Sequence, residues 1–189
     1  QKRTADDFVG DVALSPDGRL IYAAELFRNT IAVVNPQSGM VIGRFQTGRR
    51  PYRILFHPDG ASLFVSSWAD GSVFRHEAAK GKLIERIRVA LHPTDMLWAP
   101  GAPKTEPGED PSPYVARIFV AASNTNTVHV LGITAANDVR PAEVINVAMT
   151  PRQPAGMTPS ALGFDAGRNW LYVACSDANA VTIIDVSGG

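Results

Sequence analysis

The sequence has little of the material that builds cysteine-based or strongly charged sites. Cys175 is the only cysteine among 189 residues, which excludes an internal disulfide and a metal site of paired thiolates. Eighteen basic residues balance eighteen acidic ones, so the net charge of zero gives no general attraction to nucleic acid or to an anionic membrane. No apolar run approaches the ~18 residues of a membrane-spanning helix.

The motifs of common catalytic and cofactor sites are missing too. The chain has no Cys-x-x-Cys-His haem motif, no Gly-x-Ser-x-Gly elbow and no glycine-rich phosphate loop. Its four histidines lack the close spacing of metal ligands, and we interpret His57 and His92, which precede prolines, as turn residues. We therefore predict no cofactor and no metal ion, and favour a non-catalytic role for the residues present.

What the chain has in quantity is glycine and proline, spaced at regular intervals. Ser15-Pro-Asp-Gly returns as His57-Pro-Asp-Gly, and Gly-Arg-Arg-Pro51 returns 42 residues later as Ala-Leu-His-Pro93. A second spacing agrees, because an aromatic residue is followed nine positions later by Ile or Val in four places: Tyr22/Ile31, Phe64/Val73, Phe119/Val128 and Tyr172/Val181. The chain therefore contains four copies of a repeat of about 42 residues.

Each repeat divides into short segments rich in Val, Ile, Phe and Tyr, separated by Pro-Asp-Gly or Gly turns, and this pattern predicts four antiparallel strands. A four-stranded unit of this length is the size of one β-propeller blade. We predict an all-β fold, a β-propeller segment of about four blades that spans 1–189 as a single domain. The predicted repeats cover 11–51, 52–93, 94–159 with insertions, and a truncated 160–189.

The repeat resembles that of the YVTN propellers, the group that includes the YncE-like proteins. The resemblance covers 11–186, although the terminal Asn of the name-giving tetrapeptide is absent from every copy, as in Tyr22-Ala-Ala-Glu25. It implies a seven-bladed ring, of which these blades are about half, in an exported bacterial protein of the periplasm or cell exterior. The start at Gln1 fits a processed N-terminus or a piece of a longer polypeptide. Residues 156–186 also resemble propellers fused to an alkaline-phosphatase-like phosphoesterase.

The third repeat is longer than the others. Residues 99–113 extend its first hairpin, 134–141 extend its third turn, and a further stretch precedes Pro159. We interpret the first two insertions as a contact arm for a protein partner, or for remaining blades or a further domain of the same polypeptide; a flexible, tolerated insertion is the alternative. The candidate contact residues are Glu106, Glu109, Asp110 and Tyr114.

The loops between second and third strands should share the opposite face with the links between blades. Arg49, Arg50 and Arg53 form the only local basic cluster there, and with Trp68 nearby it could bind an anion or stack on a base. The alternative is solvated surface charge with some pairing between blades. The candidate binding residues on this face are Arg49, Arg50, Arg53, Trp68, Asp70, His92, Asn124, Arg152 and Asp177.

The sequence favours a non-catalytic YVTN-type propeller that acts as a recognition scaffold for a protein or a ligand. Two alternatives stay open. One is the propeller part of a two-domain phosphoesterase whose catalytic domain lies outside this segment. The other is single-stranded nucleic-acid binding through Arg49, Arg50 and Trp68, against which the zero net charge argues.

Overall fold

The structure is a computed structural model that describes residues 8–105, 107–108, 110–148, 150 and 156–188. These residues form fifteen β-strands and no α-helix, which confirms the predicted all-β class. No helix within them is long and apolar enough to cross a membrane. The strands make four antiparallel sheets in chain order, and the chain divides into two compact units, Gln1–Pro93 and Thr94–Gly189.

The first unit contains two four-stranded sheets in which consecutive strands are neighbours. The strands of its first sheet are β1 (Val9–Leu14), β2 (Ile21–Glu25), β3 (Thr30–Asn35) and β4 (Met40–Gln46). Those of its second sheet are β5 (Pro51–Phe56), β6 (Ser62–Ser67), β7 (Ser72–Glu77) and β8 (Leu83–Arg88).

The second unit contains a four-stranded and a three-stranded sheet, again with consecutive strands paired. The strands of the larger sheet are β9 (Pro93–Pro100), β10 (Tyr114–Ala122), β11 (Thr127–Thr134) and β12 (Val139–Asn146). Those of the smaller sheet are β13 (Pro159–Asp165), β14 (Trp170–Cys175) and β15 (Ala180–Asp185).

Local turn chemistry explains the hairpins. In the β1–β2 turn the carboxylate of Asp17 accepts the backbone N–H of Arg19 at 3.1 Å, and in the β5–β6 turn Asp59 accepts that of Ala61 at 2.8 Å. Gly18 and Gly60 complete these turns with φ of 71° and 72°, in the left-handed region where glycine has no steric penalty. The two aspartates are therefore turn residues.

Each unit has its own apolar core between its two sheets. In the first unit Tyr22 and Ile31 pack with Leu63 and Val65 of the second sheet. In the second unit the core includes Phe119, Val128 and Val130 of one sheet with Leu171, Val173 and Cys175 of the other. Cys175 is a buried free thiol, 1% exposed, and fills this core as a small apolar side chain.

The insertions of the third repeat take two different forms. Of the stretch interpreted as an insertion at 99–113, Ala99 and Pro100 belong to the end of β9, and the remaining residues precede β10, which begins at Tyr114. The extension at 134–141 is not an open loop, since β12 already begins at Val139, which pairs with Ile133. Both of these side chains are buried, so the extra residues lengthen a packed hairpin instead of leaving it.

Candidate functional site

The loop prediction can be tested within each unit from main-chain hydrogen bonds. In the first unit the β6–β7 turn donates from Trp68 N to Arg50 O at 3.0 Å, and Val89 N donates to Gly71 O at 3.0 Å. In the second unit Ser176 N donates to Thr158 O at 3.0 Å. The turns between second and third strands therefore lie beside the links between sheets, and we call this end of each unit the link end.

A left-handed residue precedes three of the prolines that begin a new sheet. Arg50, His92 and Thr158 have φ of 53°, 55° and 50°. This conformation is uncommon for side chains of this size, and it recurs at one position of the repeat. The aligned motifs Gly-Arg-Arg-Pro, Ala-Leu-His-Pro and Gly-Met-Thr-Pro mark the place in the sequence, but they do not reveal the backbone conformation.

Arg49 is paired within the first unit. Its backbone N–H and its Nε donate to the two carboxylate oxygens of Asp70 at 2.6 and 2.8 Å. Partial burial disfavours the charged form of Asp70, but these hydrogen bonds outweigh it and hold the pKa of the carboxyl below its usual value. Asp70 therefore ties the β6–β7 turn to the link before β5, and the two charges neutralise each other.

Arg53 also points to a carboxylate from the neighbouring sheet. Its Nη1 lies 3.4 Å from Asp11 Oδ1, and the other oxygen of Asp11 accepts the backbone N–H of Ile54 at 2.8 Å. Of the three arginines predicted as one basic cluster, Arg49 is thus ion-paired with a turn of the sheet that follows it, and Arg53 is ion-paired with the adjacent sheet. This is the pairing that the sequence left as the alternative.

Trp68 and His92 form a close stack at the link end. Their ring centroids are 3.6 Å apart and their planes differ by 4°. His92 comes from the link after β8 and Trp68 from the β6–β7 turn, so the stack joins two segments of the first unit. One face of the indole is therefore covered by the imidazole.

Arg50 lies in an exposed aromatic cluster that the sequence did not indicate. Its guanidinium carbon is 4.8 Å from the ring centroid of Phe27, and Phe27 meets Phe8 edge to face at 6.0 Å. The two phenylalanines are 44% and 57% exposed. We call Phe8, Phe27 and Arg50 the aromatic–arginine cluster.

The second unit brings fewer of the predicted residues together. Asn124 is exposed in the β10–β11 turn. Asp177 accepts the hydroxyl hydrogen of Thr158 at 2.6 Å in the β14–β15 turn. Arg152 lies outside the described residues, as do Glu106 and Glu109 of the first insertion. Of the other insertion residues, Tyr114 begins β10 and Asp110 lies in the loop before it, and both line one pocket.

The titratable groups in the part of the chain that the structure describes show no metal-binding geometry. Within the described ranges no three or more His, Cys, Asp or Glu side chains are grouped so that they could hold a metal ion. His76 is buried between Thr47 Oγ1 at 3.0 Å and Gly81 O at 3.1 Å, so both of its ring nitrogens have partners. Burial lowers the pKa of His76 and of His129.

Comparison with known proteins shows the fold. No protein-family model and no curated protein matches the chain. Among solved structures it is similar to hydrazine synthase of Kuenenia stuttgartiensis, with 18% identity and a TM-score of 0.73 over 98% of this chain and 48% of that one. It is also similar to a 6-phosphogluconolactonase-like protein of Bacteroides fragilis, with 17% identity and a TM-score of 0.70 over 94% of this chain and 50% of that one.

A third similar structure is the dihydro-heme d1 dehydrogenase NirN, with 18% identity and a TM-score of 0.69 over all of this chain and 37% of that one. The chain is a section of a β-propeller. It spans about half the length of the first two chains that it matches. At these identities the likeness carries the fold alone, because one propeller scaffold supports many activities.

Proposed function

We propose that this chain belongs to a YVTN-type β-propeller that acts as a recognition scaffold, and that the link end of its first unit contacts a protein partner. The observation that carries the proposal is the aromatic–arginine cluster. Phe8 and Phe27 keep about half of their surface exposed although both are large and apolar. Exposed apolar groups of this kind on a rigid scaffold mark interaction surfaces when they occur together.

The geometry of the cluster suits tight binding. Arginine and aromatic side chains carry much of the binding energy in protein interfaces. The edge-to-face contact of Phe8 and Phe27 and the stacking of Arg50 on Phe27 hold the three side chains in one arrangement before a partner arrives. Less conformational entropy is then lost on association.

The charges of the surface indicate the chemistry of the partner. Arg49 is neutralised by Asp70, whereas Arg50 contacts the ring of Phe27 and leaves its charge at the surface. Complementarity therefore favours a partner segment with an apolar residue to cover the phenyl rings and an acidic residue to meet Arg50. An exported location, implied by the YVTN resemblance, is part of the proposal, and cell fractionation tests it.

The test begins with capture from extracts of the source organism and continues with the purified partner. Phe27→Ser should weaken binding of that partner at least about tenfold, as expected for loss of an interface anchor. Met40→Ser is the matched control, because Met40 is 65% exposed on β4 and lies outside the cluster. A partner that loses equal affinity with both variants, or with neither, would contradict the proposed surface.

The second part of the proposal concerns further blades, which would pack on the exposed face of the last sheet and complete the propeller. Tyr172 and Ile183 are opposite each other on β14 and β15, and Ile183 and Val181 are 57% and 63% exposed. Together with the half-length match to other propellers, this supports further blades as the occupant of that sheet face. In the protein as the cell makes it, Ile183→Asp should then lower the free energy of unfolding by several kcal/mol, whereas an exposed site would tolerate it within about 0.5 kcal/mol.

Single-stranded nucleic-acid binding has weaker support than recognition of a protein. Arg49 and Arg53 are ion-paired, and the indole of Trp68 has one face against His92. Anisotropy titrations with fluorescent oligothymidylate at low and high salt test nucleic-acid binding. An affinity that falls with salt and with Arg50→Glu would favour it.

The phosphoesterase alternative concerns a domain outside this segment, so sequencing of the complete gene tests it.

A further inference from the structure

The second unit contains a pocket at the first insertion of the third repeat. Its volume is about 240 Å³, below the roughly 300–1,000 Å³ of pockets for drug-sized ligands. Pro103, Pro113, Tyr114 and Ala142 form much of its apolar wall. The pocket contains no residue of the aromatic–arginine cluster, so its role does not depend on the surface proposed above.

A buried arginine lines this pocket. Arg117 lies on β10 and is only 4% exposed. Its backbone is opposite Gly132 of β11, where the missing side chain leaves room over the sheet for the ring of Tyr114. The guanidinium carbon of Arg117 lies 5.4 Å from the ring centroid of Phe119, so the charge is held against an aromatic face inside the protein.

The hydrogen-bonding capacity of Arg117 is mostly unused among the described residues. Its Nη1 donates to Gly188 O at 3.4 Å, but its Nε is buried and has no acceptor. An arginine side chain has five N–H donors, and leaving charged donors unsatisfied inside a protein is costly. Burial accordingly lowers the pKa of Arg117, and the nearby charge of Glu143 only partly offsets this.

Arg75 of the first unit is a buried arginine whose guanidinium has hydrogen-bond partners within the protein, and it serves as a comparison. It is 7% exposed and also lies over a phenylalanine, Phe64, at 5.5 Å. Its Nε donates to Ser62 Oγ and its Nη1 to Glu85 Oε1, both at 3.2 Å. No carboxylate of the described residues forms such an ion pair with Arg117. The two sites therefore differ in what lies beside the guanidinium: Arg75 has the carboxylate of Glu85, whereas Arg117 lines a pocket.

We propose that this pocket binds a carboxylate carried on a small apolar body, with the carboxylate on Arg117 and the body against the proline and tyrosine wall. The planar guanidinium matches a carboxylate in geometry, and the apolar wall matches a hydrocarbon or aromatic group. Asp110 and Glu143 also line the pocket, and their negative charges disfavour a dianion such as phosphate. A monocarboxylate is therefore the class that fits.

The same chemistry has two sources, a free small acid and the carboxyl terminus of a partner peptide. Calorimetric titration of the full chain with phenylacetate tests the first, and a short acetylated peptide ending in phenylalanine tests the second. Phenylacetamide and the amidated peptide are the neutral controls, and inorganic phosphate is the dianion control. Binding of either acid, at least about tenfold tighter than its amide, is expected. Failure of both acids to bind would overturn the proposal.

Variants locate the binding in this pocket. Arg117→Met should weaken binding of the active acid at least about tenfold, whereas Arg168→Met, an exposed arginine in the same unit, should leave it unchanged. Glu143→Gln should strengthen binding about two- to fivefold because it removes a repelling charge.

Ala142→Trp keeps Arg117 intact and places a bulky side chain at an exposed position of the pocket wall, so it should block binding even if Arg117→Met fails to fold. Unchanged affinity in the Ala142 variant would overturn the assignment. So would a large gain in affinity when Glu106 and Glu109 are changed to glutamine, because one of those carboxylates would then be the partner of Arg117.

Discussion

The carboxylate of Asp95 accepts the backbone N–H of Leu162 at 2.9 Å, although the two residues are 67 positions apart. Asp11 does the same for Ile54 at 2.8 Å in the first unit. In both cases an aspartate on the first strand of one sheet binds the first strand of the next. That strand is at the edge of its own sheet, so its outward N–H groups have no strand partner there.

We expect Asp95→Ala to lower the free energy of unfolding by about 1.5–3 kcal/mol, the usual contribution of a hydrogen bond to a charged group. Asp95→Asn should lose less, because an amide oxygen can still accept the N–H of Leu162. Urea unfolding followed by fluorescence measures both. Asp138→Ala, at an exposed aspartate of the same unit, is the control and should change little. Equal losses for the control and Asp95→Ala would contradict this role.

These aspartates also show what a single sequence could reveal. The repeat, its turns and the class of fold follow from short-range patterns such as Ser-Pro-Asp-Gly, and they were predicted. Asp11 and Asp95 occupy the same position of repeats one and three, but repeats two and four have Arg53 and Ala161 there. The position is therefore irregular in sequence, and the pairing of Arg53 with Asp11 becomes visible only when the sheets are brought together.

Asn126 has a structural role that the residues at the equivalent position of the other repeats share only in part. Its φ is 52°, and its side-chain oxygen accepts the backbone N–H groups of Gly156 and Met157 at 2.9 and 2.8 Å. Asn126→Gly keeps the left-handed backbone but leaves two donors without their acceptor. We expect a loss of about 2 kcal/mol or more.

The matched control is Asn179→Gly, because Asn179 has φ of 49° at the equivalent position and is exposed. Its free energy of unfolding should change by less than about 0.5 kcal/mol. Chemical denaturation of both variants measures the difference. If the two substitutions have the same effect, the hydrogen bonds of Asn126 do not fix the link, and only its backbone conformation matters.

Gly132 makes room for the pocket. A methyl group at this position would collide with the ring of Tyr114, which lies over the glycine. Gly132→Ala should therefore destabilise the second unit by about 1–3 kcal/mol through overpacking, and it should weaken binding of the carboxylate by displacing the pocket wall. Gly163→Ala is the control, because its nearest neighbouring atom, Tyr172 Cβ, is 3.8 Å away. Thermal unfolding and the phenylacetate titration measure the two effects.

The pocket itself was beyond sequence reasoning for a physical reason. Four antiparallel strands were predicted for this repeat, and β9 to β12 are those strands, but a strand pattern does not show that Arg117 is buried or that Gly132 lies opposite it. Asp110 and Tyr114 were predicted as contact residues for a partner, which stays a prediction, and in the structure both line the pocket. The pairing of β10 with β11, and not local strand propensity, decides that Arg117 is the charged residue that lies at the pocket.

The buried His76 predicts how stability depends on pH. Gly81 O can only accept, so Nδ1 of His76 carries the proton and Nε2 accepts from the hydroxyl of Thr47. This arrangement satisfies the neutral imidazole, and burial lowers its pKa in the folded protein despite the bond to Gly81. In the unfolded chain the pKa is about 6.5. As the pH falls below that value, the unfolded state takes up a proton that the folded state resists.

The free energy of unfolding should therefore decrease as the pH falls from about 6.5 towards the lowered pKa of the folded state, by at most about 1.4 kcal/mol per pH unit for one proton. Below the folded pKa this contribution becomes constant. Urea midpoints between about pH 5 and 8 measure it, and His76→Gln should flatten the profile. A His76→Gln profile as steep as that of the wild type would show that other groups, His129 among them, cause the acid sensitivity.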